Sequence, residues 1–196
     1  MKITNYIVEQ IYKLGLANEK LSIEIYRYGI NTGINILLNI LVIFFVAMFQ
    51  SKIIICFEFF LFFIPLRSTS GGFHFSSKHI CSVISTIVFS LILKFQDFIY
   101  KNSLPFFIFA FFCSIFIIAI PTRDNKSRKL SAKDILFFQK KKIFLIKIFL
   151  MTVITLLLFN QKVYVTPILS AIILVAALLI ADVIVLNVKN KRKLQI

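Results

Sequence analysis

Six long apolar runs, at roughly 31–49, 53–66, 80–96, 104–120, 143–160 and 166–186, constrain this chain more than any other feature. A helix needs about 20 apolar residues, within a range of about 17–25, to cross a hydrocarbon core. Five of the runs meet that need; the run 53–66 is short and contains Glu58 and Pro65. All are continuous, whereas a spanning β-strand reads as an alternating segment of about ten residues. Twenty-four Phe against five Gly and four Pro also favour helices over strands joined by tight turns. Hydrophobic residues make up 59% of the chain, against roughly 45–50% in soluble domains, so lipid must cover much of the outside. The sequence therefore predicts an all-α, polytopic membrane protein of about six transmembrane helices.

An amphipathic N-terminal segment is expected to lie in the interface before the first of these. Over residues 1–30, Ile3, Ile7, Ile11 and Leu14 share a helical face from which Lys2, Glu9 and Lys13 are excluded. Gly15 breaks the pattern, and Asn18 is placed to cap a second short helix through Leu21, Ile25 and Tyr28. No cleavable signal peptide is read in this stretch. The predicted organisation is an interfacial segment 1–30, a six-span domain 31–186 and a basic cytoplasmic tail 187–196.

Charge decides whether the short run crosses. If it does, one side of the membrane holds residues 1–30, 67–79, 121–142 and 187–196, with 18 of the 23 Lys and Arg. Only Lys52, Lys101 and Lys162 fall on the other side, and Lys94 and Lys147 lie within helix ends. The positive-inside rule then favours six spans with both termini cytoplasmic. The net charge of +15 fits this topogenic role, attraction to anionic lipid and recruitment of an acidic partner. Nucleic acid is not an expected partner, because the basic residues are spread among short membrane loops. Cys56, Cys81 and Cys113 form no CxxC or Cys/His metal spacing, so neither a disulfide framework, a metal site nor a cofactor is expected.

One stretch gathers reactive side chains: Arg67-Ser-Thr-Ser-Gly-Gly-Phe-His-Phe-Ser-Ser-Lys-His-Ile-Cys81. It holds both histidines, one of the three cysteines and two of the five glycines. Cys81 falls in the first turn of the third span, where unpaired backbone N–H groups and the helix dipole favour a thiolate and an oxyanion. Gly71 and Gly72 allow a sharp turn that folds His74 back onto Cys81, an arrangement suited to nucleophilic acyl transfer. The same residues have structural readings: a cysteine at a helix start as packing, a loop histidine as a solvated interfacial group.

Arg67-Ser-x-Ser-Gly-Gly-x-His74, followed seven residues later by Cys81, resembles the signature of the accessory gene regulator protein B (AgrB) family, membrane peptidases of bacterial quorum sensing. Glu24-Ile-Tyr-Arg-Tyr-Gly29 resembles that family's N-terminal motif, and Pro121-Thr-Arg-Asp-Asn-Lys-Ser-Arg-Lys129 resembles the segment after its fourth span. The resemblance covers nearly the whole chain. It implies a cysteine endopeptidase of the bacterial cell membrane that acts on a short AgrD-like propeptide with an acidic C-terminal tail. It maps Cys81 onto the nucleophile, His74 onto the catalytic histidine, and Arg67 and Gly72 onto positions needed for activity. His79 is read as a bystander. Arg67 has two readings, a bidentate ligand of the acidic tail or an anchor to lipid phosphates. Arg123, Lys126, Arg128 and Lys129 are read as topogenic charges that also capture the tail. Glu58, costly in mid-span unless protonated or paired, is a candidate to orient His74. A homodimer is expected from the resemblance and the abundant apolar surface.

The competing class is a small transporter or channel whose pathway uses intramembrane Glu58, Asp182 and Lys147. Asp182 paired to Lys147 is the structural reading of those two. The chain lacks the inverted repeats and paired broken helices of transporters. Cysteine-accessibility labelling tests the topology: positions near Asn102 and Gln161 should react from outside, and positions near Lys129 and Lys191 from inside. External labelling near Lys129 would defeat the six-span arrangement.

Overall fold

The computed structural model describes residues 2–14, 23–71, 78–122 and 132–193. Among them there are seven helices and no strands: α1 (Lys2–Lys13), α2 (Ile23–Phe49), α3 (Ile53–Ser70), α4 (Lys78–Lys101), α5 (Ser103–Ala119), α6 (Ala132–Leu158) and α7 (Lys162–Lys193). Gly29–Phe49, Ile53–Ser70, Ile80–Lys101 and Lys162–Val185 are each long and apolar enough to cross a membrane, and α5 is apolar but shorter. Lys140, Lys141, Lys142 and Lys147 interrupt the apolar pattern of α6.

The all-α, membrane-type fold agrees with the sequence reading, and each apolar run lies in its own helix. Three boundaries move. Helix α2 runs unbroken from Ile23, so Ile25 and Tyr28 belong to its first turns and not to a separate interfacial helix. The Gly15 break and the Asn18 cap lie outside the described residues. The short run 53–66 extends to Ser70, because α3 continues past Pro65. The proline costs the helix one N–H donor, and the Ser68 and Thr69 hydroxyls both donate to the Pro65 carbonyl. Helix α7 carries on past the apolar run into the basic tail, as far as Lys193. At 1.5 Å per residue its 32 residues reach about 48 Å, well beyond a core about 30 Å thick.

Helix α7 is the centre of the bundle. Every residue from Val165 to Ile172 is buried. One cluster joins Leu66 of α3, Ala110 and Ile117 of α5, and Ile146, Phe149 and Val153 of α6 to Ile168, Leu169, Val175 and Leu179 of α7. A second gathers Ile43 and Ala47 of α2, Cys56 and Phe59 of α3 and Phe89 and Leu93 of α4 around Ala171. Lipid offers no hydrophobic drive to bring helices together, so close packing and interhelical hydrogen bonds must hold them. Gln96 on α4 donates to Ser170 on α7 at 3.1 Å, and Gln50, just past the end of α2, to Ser90 on α4 at 3.1 Å. The outer faces carry exposed Leu37, Leu41, Phe45, Phe112 and Met151, as a lipid-covered bundle requires. Helix α1 rests on α2 with Val8 buried, and Tyr12 meets Tyr26 edge to face.

Helices α3 and α4 are antiparallel and share a fixed register. At one end, Lys52 Nζ reaches Asp97 Oδ2 at 2.8 Å and the Leu93 carbonyl at 3.0 Å. In the middle, Phe60 stacks on Phe89 with ring centroids 5.2 Å apart. Seven residues on from Phe60 is Arg67, and eight residues back from Phe89 is Cys81. These are rises of about 10.5 Å and 12 Å, so the two arrive at the same level.

Ala171 is fully buried where α7 meets the second cluster. Ala171→Leu should therefore cost about 1–3 kcal/mol through overpacking, seen as a lower melting temperature of the detergent-solubilised protein. An unchanged melting temperature would show that α7 is not clasped there.

Candidate active site

The reactive end of the bundle is built where α3 ends and α4 begins. Gly71 closes α3 with φ 72° and ψ −148°, and its N–H donates to the Arg67 carbonyl. Those angles lie in a region that is essentially glycine-only. This is the physical reason a glycine stands at the first position of the Gly-Gly pair. An Arg67 guanidinium N–H donates in turn to the Gly71 carbonyl, so side chain and backbone close a ring at the helix end.

Cys81 is the fourth residue of α4 and is half-buried. The N–H groups of the three helix residues before it are among those that an α-helix leaves without an intrahelical partner. The next residue fixes the rotation of the helix: Ser82 Oγ donates to Asn39 Oδ1 of α2 at 2.9 Å, and Thr86, one turn on, approaches the same oxygen at 3.4 Å. The Arg67 guanidinium lies within electrostatic reach of the Cys81 thiol and of the Asp182 carboxylate on α7.

A third strand of chain is tied to the same place. Thr122, just after α5, is buried and donates through Oγ1 to the Thr69 carbonyl at 2.9 Å. Its N–H donates to Gln139 Oε1 on α6 at 3.3 Å, and Gln139 Nε2 donates to the Ile118 carbonyl at 2.8 Å. Lys142, also buried, donates to the Ile120 carbonyl at 2.5 Å. The free carbonyls at the end of α5 thus find donors on α6, and Thr122 is tied to the end of α3.

Of the residues singled out from the sequence, Arg67, Gly71 and Cys81 are brought together. Gly72, His74, Arg123, Lys126, Arg128 and Lys129 lie outside the described residues, although both segments that carry them start from the Thr69–Thr122 junction. His79 lies in the first turn of α4. Glu58 sits elsewhere: nine residues before Arg67 on α3, it lies about 13.5 Å deeper along the helix axis. There its Oε2 is buried with no hydrogen-bond partner among the described residues. Asp182 and Lys147 do not form an ion pair among the described residues. Lys147 is exposed on an α6 face with Phe144, Ile148 and Met151, whereas Asp182 lies within electrostatic reach of Arg67. The sequence reading missed Asn39, Thr122 and Gln139. Only Asn39 had a usable signal, as a polar residue inside an apolar run.

Seven helices, most of them lipid-length, with a cysteine and an arginine meeting at one end of the bundle, define a polytopic membrane protein with a candidate reactive site at its edge. The model of the family described as Accessory gene regulator B matches residues 1–184, and the chain belongs to that family. Its members take part in processing the AgrD propeptide of bacterial quorum sensing. No curated protein and no solved structure is significantly similar to the chain.

Any side chain at Gly71 would have to hold the glycine-only angles, at a cost of about 1–3 kcal/mol. Gly71→Ala should lower the melting temperature and slow the alkylation of Cys81, because the Arg67 ring is lost with the cap. Wild-type values for both would remove the role assigned to this glycine.

Proposed function

We propose that the chain is a membrane-embedded cysteine endopeptidase that removes the C-terminal tail of a short AgrD-like propeptide and supports closure of the remaining peptide into a ring. The observation that carries this reading is the Cys81 thiol at a helix start, within electrostatic reach of Arg67 at the capped end of α3. A cation beside a thiol, with unpaired N–H groups near it, is the setting in which cysteine becomes a nucleophile.

Cys81 Sγ attacks a carbonyl carbon of the propeptide, and N–H groups of the first turn of α4 hold the oxyanion. The C–N bond breaks, His74 gives a proton to the departing amine, and an acyl-thioester remains on Cys81. The propeptide's own Cys or Ser attacks that thioester, the C–S bond breaks, and its proton returns to the Cys81 sulfur by way of His74. Exchange of one thioester for another is nearly isoenergetic, so a thiolactone forms without ATP provided water is kept away. Phe73 and Phe75, beside an apolar bundle, suit that exclusion. Arg67 and Gly71 shape the site, Gly72 completes the turn, and Arg123, Lys126, Arg128 and Lys129 attract the acidic tail. The topology that suits this chemistry has six spans, cytoplasmic termini and the Cys81 end on the cytoplasmic side.

The transporter reading has less support. Glu58 lies deep in α3, Asp182 lies at the level of Arg67, and Lys147 is on an outward face of α6, so the three line no common passage.

Cys81→Ala and His74→Ala should each abolish precursor cleavage, while Cys56→Ala and Cys113→Ala retain most of it. A precursor whose internal Cys or Ser is replaced by Ala should still lose its tail and then accumulate on Cys81 as a hydroxylamine-sensitive adduct, seen by mass spectrometry. Cleavage that survives Cys81→Ala would end the peptidase reading.

A further inference from the structure

Of the five lysines of α6, four precede its apolar run and only Lys147 lies inside it. It stands four residues past the start of that run, about 6 Å along the helix axis. A cation at membrane depth ordinarily faces the bundle interior and pairs with another charge or a backbone carbonyl. Lys142 follows that rule: it is fully buried and bonded to the Ile120 carbonyl. Lys147 does not. It is exposed on the outward face of α6 and forms no ion pair among the described residues.

A groove of about 470 Å³ runs along this face, from Phe144 and Lys147 at one end, over Ile148 and Met151, to Thr155 and Leu156 at the other. Lys147 is the one charged residue among those that line it. Thr152 and Thr155 also border the groove, but their hydroxyls donate to the Ile148 and Met151 carbonyls of their own helix. What remains is apolar surface with a single ammonium. A peptide lying there would need partners for all its backbone groups, and the groove has one donor to give. A phospholipid needs only one, at its phosphate. The length agrees. Nine residues separate Lys147 from Leu156, about 13.5 Å along the helix, and one leaflet is half of a hydrocarbon core about 30 Å thick. The polarity agrees as well. Lys147 lies toward the start of α6, where Gln139 bonds Thr122, so the cation is nearer the membrane edge and the apolar part of the groove runs toward the midplane.

We infer that this face of α6 is a binding site for an anionic phospholipid of the leaflet at the Cys81 end: Lys147 holds the phosphate, and an acyl chain lies in the groove over Ile148, Met151 and Leu156. Snorkelling alone would bring the ammonium to a headgroup of any kind. Selection for negative charge follows because Lys147 has no counter-charge in the protein, and a zwitterionic lipid brings its own cation beside the phosphate. The site is independent of the peptidase reading and stands or falls without it.

The chain contains no Trp, so one introduced indole reports on one place. Ile154→Trp puts it on α6 beside the groove, and Leu41→Trp puts it on α2, away from the charged residues of that helix; both positions are exposed. They lie at similar depth, ten and eleven residues into their apolar runs for Leu41 and Ile154 respectively. The full-length variants are placed in vesicles of equimolar phosphatidylcholine and phosphatidylglycerol, with the chains of only one of the two lipids brominated. The two quenching curves give the relative affinity of each site for the two lipids. Ile154→Trp should favour phosphatidylglycerol by about fivefold, the factor that one lysine near an anionic headgroup contributes, and Leu41→Trp should show little preference. Adding Lys147→Gln should bring the α6 preference down to that at Leu41, and Lys147→Arg should keep it. Equal preference at the two positions would mean that the net charge of the whole chain attracts the lipid, which overturns the site. A preference that survives Lys147→Gln overturns it too. Quenching at Leu41→Trp with none by either lipid at Ile154→Trp would show the groove covered by protein, a second copy of the chain, and would also end the inference.

Discussion

A backbone inside hydrocarbon has no water to bond to, so each N–H and C=O must be satisfied by the protein itself. That constraint explains the helices, and it also explains why the interesting chemistry sits where helices end. The last carbonyls of α3 and α5 and the first N–H groups of α4 have no partners within their own helices. In this protein they are brought to one end of the bundle, where the carbonyls of α3 and α5 find donors. Gly71 N–H and the Arg67 side chain serve the end of α3. Thr122 links α3 to the chain after α5, and Gln139 and Lys142 serve the end of α5 from α6. Capping and reactivity share one side chain: Arg67, which serves the end of α3, also lies within electrostatic reach of the Cys81 thiol.

Packing supplies the precision. The stack of Phe60 on Phe89 and the bonds from Lys52 to α4 set the α3–α4 register. A register slip of one residue would move Cys81 by about 1.5 Å and rotate it by roughly 100° about α4. The bond from Ser82 to Asn39 opposes that rotation from the α2 side. Helix α7 holds the other flank through Leu66 and Leu179. Most of these contacts are apolar and individually weak, yet together they determine where one arginine and one thiol meet.

Membership of the Accessory gene regulator B family gives this arrangement a context in propeptide processing. A thioester intermediate needs protection from water, and a site at the rim of a lipid-covered bundle has an apolar wall at hand. Thr122, the last described residue before the basic stretch, is bonded to Thr69 at the end of α3, about 50 residues away in the chain.

Much of the architecture was legible in the sequence because it follows from composition. Continuous apolar runs in lipid can only be helices, and charges cannot be left in hydrocarbon, so the helices and their approximate limits could be read directly. The Arg67…Gly71…Cys81 grouping was legible too, since those residues are local and share one turn between two helices. Where the reading went astray, the deciding contacts were local but outside the apolar pattern: Ser68 and Thr69 support the helix beyond Pro65, and α2 begins before its apolar run. What only the tertiary structure decided is which distant side chains complete the site. Asn39, Thr122 and Gln139 are polar residues whose partners lie on other elements. Glu58, close to Arg67 in sequence, proves to be more than two turns deeper in the bundle. Asp182 could be given a partner from the sequence only by guessing at Lys147. Which face α7 turns toward α3 is set by a buried cluster that holds both Leu66 and Leu179, residues more than 100 positions apart, and no local pattern in the chain reveals it.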